Sequence, residues 1–62
     1  MAFQVPDVVV LTRDLPEYGL KAGDTGTVVY VHSAEALCVE FMDEVGRTIA
    51  VATIQPADIR NA

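Results

Sequence analysis

The chain has no tryptophan, one cysteine and one histidine. A single cysteine, Cys38, excludes an internal disulfide and fits a reducing compartment. Zinc sites draw about four ligands from Cys, His and acids at recognisable spacing. His32 and Cys38 supply no such set, so neither a metal nor another cofactor is expected. Aromatic rings are scarce as well: Phe3, Tyr18, Tyr30 and Phe41 are the only ones. Polyproline ligands need a groove lined with such rings, which this chain cannot build. Cations are few and scattered, at Arg13, Lys21, Arg47 and Arg60, against nine acids. Nucleic-acid binders gather Lys and Arg on one face to displace counterions. Neither nucleic acid nor an anionic membrane is therefore an expected partner. No apolar run is longer than the four residues Val8 to Leu11, far too short to span a bilayer, and the opening residues show no signal-peptide pattern. The expected location is cytoplasmic.

What the chain does have is apolar and turn-forming residues. It is 62 residues long and 52% hydrophobic, enough for one small domain over residues 1–62, with 1–6 as a lead-in. A domain of this size buries only about 60% of the surface its unfolded chain exposes. Its apolar residues must be used efficiently or shared with a neighbour. Helical periodicity is weak, and β-branched residues dominate. Strands are expected over 7–12, 27–32, 36–42, 47–54 and 58–60. Between the first two lies a long loop, 13–23, punctuated by Pro16, Gly19 and Gly23. Its Leu15, Tyr18 and Leu20 are apolar enough to fold back over one end of the core. Ser33–Glu35 reads as a short turn and Asp43–Gly46 as a tight hairpin turn, with Gly46 in the left-handed position. Gln55–Ala57 reads as one turn of 3₁₀ helix. This order of elements is that of an all-β fold, a small five-stranded SH3-like barrel with a long first loop and one 3₁₀ turn before the last strand.

Alternation places Val8, Val10, Val29, Val31, Leu37, Val39, Phe41, Ile49, Val51 and Ile59 inside. In the second strand Val28 and Tyr30 compete with Val29 and Val31 for the inner face. The other face then carries Tyr30, Cys38, Glu40, Met42, Thr48, Ala50 and Ala52, an apolar surface on which small alanines let another chain approach. With the 15–20 loop it forms an expected contact surface for a partner or a second copy: Leu15, Tyr18, Leu20, Tyr30, Met42, Ala50 and Ala52. Two alternatives stay open: barrel curvature buries part of this face, and Tyr18 acts as a lid on the core rather than an anchor.

Reactive constellations are absent. Cys38 between Leu37 and Val39 reads as a packing thiol, and a Cys38–His32 pair would lack an orienting third group. Asp43-Glu44 suits a solvated turn. Asp24-Thr25-Gly26 lacks the lysine and helix of a phosphate loop, and its glycine reads as a turn residue where two backbones pass closely. Arg13-Asp14 reads as a local ion pair. The chain is expected not to be an enzyme.

The run Asp7–Val29, with its Leu15-Pro16-Glu17-Tyr18-Gly19-Leu20 segment, and the later run Val39–Ala50 together resemble a bacterial family catalogued as domain of unknown function 4926. The resemblance covers nearly the whole chain. It implies a small β-barrel with no established activity, and an accessory protein encoded beside a larger one, as the antitoxin-like half of a pair. Gly23–Val28 is also similar to the opening of KOW-type and other SH3-like barrels, whose modules often meet RNA; the acidity of this chain departs from that pattern. The expectation is a non-enzymatic interaction module for a cognate protein, with the antitoxin-like role as what the resemblance implies. The alternative is a structural or accessory subunit, or a self-associating barrel, within a larger complex.

Overall fold

A computed structural model describes residues 3–62. Strands β1 (Val8–Leu11), β2 (Thr25–Ser33), β3 (Ala36–Met42), β4 (Thr48–Ile54) and β5 (Ile59–Asn61) make one antiparallel sheet in the order β4-β3-β2-β1-β5. The long first loop, the short turn, the hairpin and the 3₁₀ turn before β5 all appear where the composition puts them. The 3₁₀ turn spans Pro56–Asp58, and a second one, Pro16–Tyr18, lies inside the first loop. No ladder joins β4 to β5 among the described residues, so hydrogen bonding does not close the expected cylinder.

The sheet curls because β2 is long and bulged. Its register with β3 slips between Val28 and Tyr30, and again between Val31 and Ser33, leaving Val29 and His32 unmatched. Each bulge bends the strand and adds twist. The first part of β2 also pairs with β1, with Val9 opposite Gly26. A Cβ at Gly26 would lie 2.7 Å from a Val39 methyl, 2.8 Å from the Phe41 ring and 2.9 Å from the Glu40 carbonyl. The close backbone passage anticipated at Gly26 is present, but within a strand rather than a turn.

The core consists of Val9, Leu11, Leu15, Leu20, Val28, Leu37, Val39, Phe41, Ala52, Ile54 and Ile59, with Phe3 and Ala50 packed against it. Among the described residues no polar or charged side chain is buried. Leu15 and Leu20 enter from the loop. Their backbones exchange two hydrogen bonds, 2.9 and 3.1 Å, and Gly19 at φ 70° turns the chain between them.

Three strands have the opposite phase to that expected from alternation. Leu37, Val39, Phe41 and Ile59 are inside as anticipated. Val8, Val29, Val31, Ile49 and Val51 are exposed, and Val10 is only partly covered. Val9, Leu11, Val28, Ala52 and Ile54 take their places. In β1 four successive apolar residues carry no phase of their own, and pairing of Leu11 with Ile59 sets it. In β4 the register slips between Phe41 and Met42, so Ile49 is an extra residue. Phe41 then faces Ala50, Val39 faces Ala52 and Leu37 faces Ile54. Small alanines opposite a ring and a valine fill a thin core better than Ile49 and Val51 would.

Candidate functional site

The outer surface of the sheet can be read off the ladders. One row runs Val8, Thr27, Glu40, Val51; another runs Tyr30, Cys38, Thr53; Val10 lies between Thr25 and Arg60. Large apolar groups dominate it. Tyr30 is 58% exposed, Val51 55%, Ile49 51%, Val8 48% and Met42 41%. Thr48 Oγ1 donates to Glu40 Oε2 at 2.6 Å, which holds the one carboxylate of the central row flat against the surface. Tyr30 meets the His32 ring edge-on, with centroids 4.7 Å apart and planes at 70°. Apolar area of this kind on so small a domain makes this surface the candidate site.

The structure divides the expected contact residues. Tyr30 and Met42 lie on this surface, and Tyr18 is exposed on the first loop. Leu15, Leu20 and Ala52 are core residues, and Ala50 packs inward against the same cluster. The side chains of Leu15, Leu20 and Ala52 are therefore not offered to a partner on this surface, and that of Ala50 only in part. Val8, Ile49 and Val51 occupy the outer surface instead. Composition alone hid them, because a valine or isoleucine suits either face of a strand. The signal that would have found them is the pair of alanines: two small residues opposite Val39 and Phe41 leave the bulky ones for the outside.

The polar groups are organised as structural ties. Arg13 pairs with Asp58 at 2.8 Å, not with its neighbour Asp14, and so fastens the first loop to the turn before β5. Asp14 Oδ1 accepts the Ala22 N–H at 2.9 Å within that loop. At the hairpin, Asp43 accepts backbone N–H groups from Val45 (3.0 Å) and Arg47 (2.9 Å), and the Arg47 guanidinium at 2.9 Å. These bonds, the Arg47 backbone N–H first among them, hold the Asp43 carboxyl below its ordinary value of 3.8. Shallow depressions lie beside both ties: one between Asp24, Met42, Asp43 and Ile49, the other between Arg13, Glu17, Tyr18 and Thr53.

Cys38 is half-buried opposite Tyr30 and Thr53 in the ladders. No group of three or more His, Cys, Asp or Glu among the described residues is arranged to hold a metal ion. No helix among them is long and apolar enough to cross a membrane.

A family model described as "Domain of unknown function (DUF4926)" matches residues 6–61. No curated protein and no solved structure matches the chain.

Proposed function

We propose that this chain, which belongs to the DUF4926 family, is a non-enzymatic interaction module that holds a cognate protein on the outer surface of its sheet. The observation that carries the reading is the exposure of Val8, Tyr30, Met42, Ile49 and Val51, each about half exposed, on a sheet whose opposite face is already filled. Exposing that much apolar surface opposes solubility, and covering it with a partner removes the cost. Tyr30 is the natural anchor, since a large ring with a polar tip contributes most at such contacts. The acids keep nucleic acid a poor fit for this surface and leave an apolar or basic protein surface as the better one. An SH3-like arrangement of the strands, and a partner encoded nearby and silenced in antitoxin fashion, belong to the same reading.

The test uses the intact chain as bait in a native lysate, with Tyr30→Asp as its control. A protein retained by the wild type, resistant to added salt and lost from Tyr30→Asp, is expected. Circular dichroism of the variant must match the wild type. Equal capture by both chains, or recovery of RNA alone, would remove the outer surface from the function.

A further inference from the structure

The two edges of the sheet are unlike. β5 is three residues long and carries Arg60, both ordinary ways of blunting an edge. β4 has seven residues, Thr48-Ile49-Ala50-Val51-Ala52-Thr53-Ile54, with no charge, proline or glycine, and past its one bulge at Ile49 the stretch Ala50 to Ile54 is paired regularly with β3. Its ladder partner is β3 alone. Among the described residues no backbone hydrogen bond outside the ladders involves any residue from Thr48 to Ile54. An edge strand leaves alternate N–H and C=O groups pointing outward, a ready template for another strand.

We infer that this edge pairs with β4 of a second copy, antiparallel about a two-fold axis at Val51. The strand is nearly its own reverse. Centred on Val51, Ala50 falls opposite Ala52 of the second copy, and Ile49, the bulge residue, opposite Thr53. The exposed Val51 meets its own equivalent, and the exposed Ile49 meets the exposed Thr53, both favourable β-branched cross-strand pairs. Charge points the same way. Two chains of net charge −5 repel, so contact needs an uncharged seam, and β4 is one. The product is one ten-stranded sheet. A seam of one strand per copy is smaller than a standard interface of about 1,600 Å². Dissociation on dilution follows.

The inference goes beyond the outer-surface reading and does not need it. The experiment is sedimentation equilibrium of the purified chain over a wide concentration range. Val51→Lys, Val51→Glu and their equimolar mixture are run beside it. The expected result is a reversible wild-type dimer, two monomeric variants that place like charges on the two-fold axis, and a heterodimer in the mixture. Because mixing restores pairing, a folding defect in one variant is not mistaken for lost contact. A monomeric wild type at every concentration would overturn the inference. So would dimers in both single variants, a monomeric mixture, or an open series of larger species. Tyr30→Asp, which tests the outer surface, is expected to keep the dimer, so the two proposals fail separately.

Discussion

Asp43 accepts three hydrogen bonds from the hairpin it opens, two from backbone N–H groups and one from Arg47. All three favour the charged carboxylate, which is why its titration lies below the ordinary value. A group with a lowered folded value stabilises the fold fully above the unfolded value and loses that contribution as pH falls through the folded one. The melting temperature of the wild type should therefore drop on acidification below about pH 4. In Asp43→Asn the drop should be smaller, because that position no longer takes up a proton. Identical acid profiles would show that the hairpin does not depend on the charge. At this scale the sequence was readable where chemistry is local: Asp43 and Gly46 act within their own turn, and Gly46 has φ 86°. Arg13 was misread because its partner, Asp58, is 45 residues away.

At the scale of elements, every expected strand exists within a residue or two of its expected span, the largest difference being the start of β2 at Thr25. β-Branched runs bounded by Gly, Pro and Asp locate strands well. Their phase is another matter. A bulge moves every following side chain to the other face, and nothing in a run such as Thr48–Ile54 announces one. The observed phase of β4 can be tested by a pair of substitutions. Ile54→Ala, in the core, should cost about 2–5 kcal/mol in urea unfolding. Ile49→Ala, on the outer surface, should change stability by no more than about 1 kcal/mol. The reverse order would restore the phase that simple alternation gives. The same uncertainty moved Val51 and Ile49 between core and contact surface, and Ala50 and Ala52 the other way.

For the molecule as a whole the margin is narrow. Domains carry about 0.05–0.15 kcal/mol of stability per residue, roughly 3–9 kcal/mol for a chain of this length. Phe41 is fully buried, faces Ala50 and Gly26, and has no replacement nearby. Phe41→Ala should cost about 3–5 kcal/mol and leave much of the chain unfolded without denaturant. A cooperative transition at the wild-type urea midpoint would mean that the core lies elsewhere. The small core also explains why Leu15 and Leu20 are recruited from a loop: five short strands do not supply enough apolar volume alone. By itself the sequence determined the class, the number of elements and their connections, because turn residues and β-branched runs act over a few neighbours. The inward and outward faces, the fastening of the first loop by Arg13 and Asp58, and the unpaired edge of β4 were decided only on folding. Each depends on register between strands far apart in the chain, and register is set by the volumes that meet across the core.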